Sequence, residues 1–160
     1  MTTPTTPVFT PTSTKLTILE RHEPDQFYQT RSGLWVSESF RTLVVAKAKP
    51  TEAGTVFSVT HPTMLRNASD EEIEWELGGE KRVHLFDETQ VSAIIARLIN
   101  GQPKGEAELL LNNGYANLFY LVSCVAHVHW HSDCRGWRVA SWPRDDYSRN
   151  AGSQVFFPGN

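Results

Sequence analysis

Most of what identifies a protein class is missing from this chain of 160 residues. There is no run of 18 apolar residues, so no helix spans a bilayer. The opening Met1-Thr2-Thr3-Pro4-Thr5-Thr6-Pro7 has neither a basic region nor an apolar one, which excludes a secretory signal and makes the cytoplasm the default compartment. Charge of one sign is lacking too. A net charge of −3 and a pI near 6.1 give no general attraction to nucleic acid or to an anionic membrane. Gly-x-Gly-x-x-Gly, the Walker loop, Gly-x-Ser-x-Gly, His-Glu-x-x-His and Cys-x-x-Cys are all absent, which removes the common nucleotide-dependent and hydrolytic chemistries.

Cysteine is scarce. Cys124 and Cys134 are the only two, too few for a disulfide framework. An extended segment between them would hold them roughly 20 Å apart, against a limit of ~7 Å between bridged Cα atoms. Two free thiols suit a reducing interior.

What is present describes an ordinary globular domain, with 39% hydrophobic and 21% charged residues. No metal, disulfide or cofactor is required to fold a core of this size. Residues 1–14 hold seven Thr and three Pro and bury too little apolar surface to offset their ordering entropy, so they are expected to be a disordered tail. The remainder, 15–160, reads as one globular unit.

Within it, Lys15–Leu19 and Thr55–Thr60 read as strands. Val36, Phe40, Leu43, Val44 and Lys47 trace a helical face, with a strand as the alternative because of the β-branched residues, and Pro50 ends either. Ser69-Asp70-Glu71-Glu72 is a capping-box start for a short acidic helix over 70–77, whose Asp70–Glu76 face is expected to be solvated. Val83, Leu85 and Phe86 suggest a short strand or packed turn. Asp87 and Gln90 form a second capping box, followed by the apolar stripe Val91, Ile94, Ile95, Leu98 and Ile99, which predicts a helix over 88–99 packed on a sheet.

After a tight turn at Asn112-Asn113-Gly114, residues 116–131 alternate as one long strand. Tyr120, Val122, Cys124, Ala126, Val128 and Trp130 are expected on one face, with His127, His129 and His131 on the other. A turn at 132–136 and a return strand 137–142 complete a hairpin, and 154–157 reads as a last strand. The expected class is α+β: a mostly antiparallel sheet, two or three helices and a C-terminal β-hairpin.

Chemistry concentrates in the hairpin and its exit loop, 127–149, which hold three of the five tryptophans and three of the six histidines. Imidazoles at alternate strand positions point the same way, so His127 and His129 can chelate one ion such as zinc, with His131 the third candidate. Same-face Cα atoms are ~6.6 Å apart, which puts His131 roughly 13 Å from His127 and makes a closed zinc site hard to build. Completion by His61, His84 or a carboxylate such as Asp145 or Asp146 would give a metal-dependent protein, a hydrolase among the options. Trp130, Trp137 and Trp142 with Arg135, Arg138 and Arg144 are the residue types that dominate protein interfaces. With Asp133, Asp145 and Asp146 nearly cancelling the arginine charge, that composition argues against nucleic acid. The reading is a small non-enzymatic binding module with a protein partner, or a homo-oligomer as a sub-case. The metal-dependent protein is the alternative.

Overall fold

The computed structural model describes residues 13–78, 85–144 and 148–159. Its strands are β1 (Ser13–Thr17), β2 (Leu34–Val36), β3 (Val56–Thr60), β4 (Ala68–Ser69), β5 (Asn117–Tyr120), β6 (Val125–His131), β7 (Gly136–Trp142), β8 (Ser148–Arg149) and β9 (Gln154–Pro158). The helices are α1 (Pro24–Phe27), α2 (Glu38–Phe40), α3 (Asp70–Gly78) and α4 (Glu88–Gly101), and α2 runs on into a π-type turn at Arg41–Val45. Seven strands form one sheet in the order β1-β3-β9-β5-β6-β7-β2, while β4 and β8 pair separately.

The sheet is mixed. β9 runs parallel to β5 and β2 parallel to β7, and the other four ladders are antiparallel. The α+β class therefore holds, with four helices among the described residues where two or three were expected. Residues 1–12 of the expected tail lie outside the described residues, and Ser13 and Thr14 belong to β1 rather than to a tail. Among the described residues no helix is long and apolar enough to cross a membrane.

Both capping boxes form. Asp87 Oδ1 accepts from the Gln90 amide at 2.8 Å, and Gln90 Oε1 accepts from the Asp87 amide at 3.0 Å. Ser69 and Glu72 make the same reciprocal pair at 3.2 Å each way. The stripe of α4 (Val91, Ile94, Ile95, Leu98, Ile99) is buried against Phe119, Ala126, Val128, Trp137, Val139 and Phe156 of the sheet. Each such side chain contributes roughly 1.5–3 kcal/mol by leaving water.

The expected strand 116–131 is two strands. A turn at Leu121–Cys124, closed by the Leu121 amide donating to Cys124 O at 2.9 Å, folds β6 back on β5. In that register Phe119 faces Ala126 and Tyr120 faces Val125. Tyr120 therefore shares the histidine face, contrary to the alternation read through a continuous strand. A second core of Met64, Ala68, Ile73, Leu118, Tyr120, Val125 and Val155 covers one end of that face.

The loop after α4 is held by one buried amide. Gln102 Oε1 accepts from the Leu110 amide at 2.9 Å, and Nε2 donates to Glu106 O and Leu110 O at 2.9 and 3.0 Å. Gly105 in this loop has φ +72°, and a Cβ there would lie 2.4 Å from the Trp130 ring. Gly114 has φ +88° with open space around it. Gly105→Ala is expected to cost about 1–3 kcal/mol beyond the strain that Gly114→Ala incurs from backbone conformation alone. Urea midpoints compare them, and equal losses would show that Trp130 does not press on this loop.

His22 is buried, its Nε2 2.6 Å from Ser92 Oγ. Burial lowers its pKa to about 4, the nearby Glu23 charge only partly opposing this. Between pH 6.5 and 4 the unfolded chain binds a proton at this position that the folded chain refuses. Stability contributed by a neutral His22 is complete above pH 6.5 and falls as pH drops towards 4, at up to ~1.4 kcal/mol per pH unit. His22→Gln should flatten the dependence of the urea midpoint on pH over this interval; a profile parallel to the wild type would contradict it.

Candidate functional site

The side of β6, β7 and β2 turned away from α4 carries His127, His129 and His131, then Arg138, Ala140 and Trp142, then Trp35. Register sets the neighbours: His127 opposite Ala140, His129 opposite Arg138, Val125 opposite Trp142, and Trp35 beside Arg138. The Ala140 methyl leaves a shallow floor between Trp35, 47% exposed, and Trp142, 44% exposed. Each indole carries a guanidinium on its ring, Arg138 over Trp35 at 5.6 Å and Arg149 over Trp142 at 5.4 Å. Such contacts hold large aromatic side chains in one orientation at the surface. None of these strand positions is acidic.

The His127 ring stacks on Trp142 at 4.7 Å and meets the His129 ring edge-on, with centroids 5.1 Å apart. Burial, reinforced by the charges of His129 and Arg149, lowers the His127 pKa to about 4. Burial and then Arg138 and His131 lower that of His129. Both imidazoles are neutral at pH 7. His129 Nδ1 is buried without a hydrogen-bond partner.

The covered end of this face is fastened by charge. Asp70, the first residue of α3, takes Arg149 Nε at 2.8 Å and Nη2 at 3.0 Å, and also accepts from the Tyr120 hydroxyl. One turn later Glu74 Oε2 accepts from Arg144 Nη2 at 2.9 Å. Burial and the Asp70 carboxylate push the Tyr120 pKa well up. Burial works against the charge on Arg149, but Asp70 outweighs it and raises its pKa. The helix face over Asp70–Glu76, expected to be solvated, is thus split: Asp70 and Glu74 are buried, while Glu71, Glu72 and Glu76 face water.

The structure brings together only some of the residues singled out from sequence. Trp142 and Arg138 lie on the open face. Trp137, expected at the contact surface, is 0% exposed and donates its indole N–H to Gln102 O at 2.8 Å, a core residue by every measure. Trp130 lies on the α4 side, half-buried and edge-on to Trp137 at 5.2 Å. Arg144 straps Val122 O and Glu74, and Arg135 is exposed in the β6–β7 turn with φ +48°. His131 uses Nδ1 to accept from the Cys134 amide at 3.3 Å, apart from the His127–His129 pair. His61 is buried with Nε2 2.7 Å from Thr14 Oγ1. His84, Asp145 and Asp146 lie outside the described residues. Among the described residues no group of three or more His, Cys, Asp or Glu side chains is assembled around a common point. Both thiols are free, Cys124 buried and Cys134 exposed.

Trp35 was not legible as a member of this face, since its parallel pairing with β7 bridges a hundred residues of chain. A second concavity, an open cleft of about 640 Å³, lies between the 18–31 segment and α4. Its arginines are spoken for: Arg21 by Glu23 and Glu52, Arg31 by backbone carbonyls, Arg97 by Thr17 O at 2.8 Å. The open sheet face is the stronger candidate. Comparison with protein-family models, with curated proteins and with solved structures finds no match to this chain.

Removing one partner of a buried ion pair strands the other, at about 3–5 kcal/mol. Arg149→Met should lose stability on that scale, and adding Asp70→Asn should restore a substantial part, because the group left behind is then neutral. Thermal unfolding of the two variants decides it; no recovery in the double variant would mean that Asp70 is not what Arg149 neutralises.

Proposed function

We propose that the chain is a small non-enzymatic binding module whose contact surface is the open face of β6, β7 and β2, and whose partner is a protein with an acidic surface. The observation that carries this is a pair of tryptophans, Trp35 and Trp142, each nearly half exposed and each held under a guanidinium. Tryptophan and arginine in such an arrangement are the side chains that contribute most when an interface closes over them. The strands of this face bring arginine and no carboxylate, so complementarity favours a partner that supplies carboxylates. A second copy of the chain, docked through the same face, would juxtapose like charges.

In this reading the contact surface overlaps the 127–149 hairpin expected from sequence, with Trp142, Trp35 and Arg138 as anchors rather than Trp130 and Trp137. Arg135 sits at the rim, where mutation alters association rate more than residence time.

Affinity capture from a lysate of the source cell, run with the wild-type chain and with Trp35→Ala/Trp142→Ala, tests the reading once the captured protein is purified and titrated in a calorimeter. Each tryptophan is expected to be worth at least ~2 kcal/mol, about a 30-fold loss of affinity per site. Binding should also slow amide exchange in β6, β7 and β2. A partner that binds the double variant as tightly as the wild type overturns the proposal.

A further inference from the structure

We propose that His127 and His129 form a two-histidine chelate for a divalent transition-metal ion of the zinc and nickel class, with water in the remaining coordination positions. Imidazole is a ligand suited to both ions. The geometric argument starts from the ring separation. A histidine nitrogen bound at about 2.0–2.1 Å places the ring centroid about 3.2 Å from the ion, so two such rings at a tetrahedral angle have centroids about 5.2 Å apart. The His127 and His129 centroids are 5.1 Å apart, with the rings inclined at 67°.

The second observation is polar accounting. Histidines removed from water ordinarily spend their nitrogens on hydrogen bonds, as the buried His22 does on Ser92 and the buried His61 on Thr14. Neither His127 nor His129 makes such a bond to any described residue, and His129 Nδ1 is in addition shut off from water. A buried nitrogen left unpaired has lost its water without gaining a partner in exchange. Two adjacent imidazoles with uncommitted nitrogens are what a bidentate site requires, and the backbone of β6 preorganises them at positions two apart.

Residues around the pair fit the ion's needs. The Trp142 ring, stacked on His127, fixes its orientation without competing for a nitrogen. Ala140 opposite His127 leaves room above the strand. Arg138 and Arg149 are turned towards indole rings. Two protein ligands leave the remaining coordination positions available to an outside ligand.

This inference does not depend on the protein-docking reading. The experiment uses the full chain without a histidine tag, carrying Cys134→Ser so that the exposed thiol takes no part. Ni²⁺ alone is titrated and tryptophan fluorescence followed, since an ion on His127 sits against Trp142 and quenches it; Zn²⁺ is then added as competitor. One saturable equivalent is expected, displaced by Zn²⁺. Its affinity should fall in His127→Gln and in His129→Gln by more than the ~10–100-fold that losing an outer-shell partner costs a metal site. In His131→Gln it should be unchanged. His127→Phe, which keeps the stack on Trp142, guards against loss of fold and should also abolish binding. Trp35→Ala should leave Ni²⁺ affinity intact even where partner binding is lost. Unsaturable quenching, equal sensitivity to His131, or full affinity without His127 overturns the proposal.

Discussion

A sheet has two faces to cover, and this chain has apolar helix enough for one. The long stripe of α4 closes over the side built from Phe119, Ala126, Val128, Trp137 and Val139. Among the described residues, the other side receives α3, β4 and β8 at one end only. Where that cover stops is set by ion pairs rather than by apolar area. Asp70 and Glu74 reach down to Arg149 and Arg144, and such pairs are geometrically demanding while adding little net stability over apolar packing. They fix the position of α3, and so they fix the border of the open face.

Trp142 stands on that border, and its surroundings follow from it. Arg149 satisfies Asp70 through the edge of its guanidinium and lies over Trp142 through its plane, so one side chain serves the buried network and the surface. Burial, and after it the positive charge beside His127, disfavours protonation of its ring, and the imidazole stays neutral. A neutral ring stacks on indole without drawing in a counter-ion. The hairpin thus presents aromatic and imidazole groups held rigid from beneath by a salt bridge that the surface does not show.

Local signals were readable and long-range ones were not. Each capping box marked the start of a helix, because a Ser or Asp and a Gln or Glu three residues on satisfy two orphan amides by themselves. The β6–β7 hairpin was readable from alternation on both sides of a polar turn. The turn at Leu121–Cys124 was not, since it contains neither glycine nor proline and apolar residues continue through it. Missing it inverted the face of Tyr120, for an antiparallel register of Phe119 with Ala126 exchanges odd and even positions. Trp35 joins the site by a parallel ladder with no local trace in the sequence. Asp70 and Glu74 were misread for a related reason: a carboxylate on a helix looks solvated until its partner, 79 residues away for Asp70 and 70 for Glu74, is brought beneath it.

The histidines of the open face pose a question of cost. If position 127 only had to pack on Trp142, phenylalanine would do so with no nitrogens to satisfy; if positions 127 and 129 only had to keep the strand soluble, charged side chains would do better. The chain instead places two half-buried neutral imidazoles side by side, and no described residue hydrogen-bonds to either. An apolar partner closing over them would strip the water that now offsets part of this cost, and the complex would carry it in full. A partner of the kind proposed for this face would therefore have to bring polar atoms or an ion to the middle of it. That condition separates a specific contact from a merely hydrophobic one: in the proposed interface Trp35 and Trp142 would supply the area, and the imidazole pair on β6 would decide what is accepted.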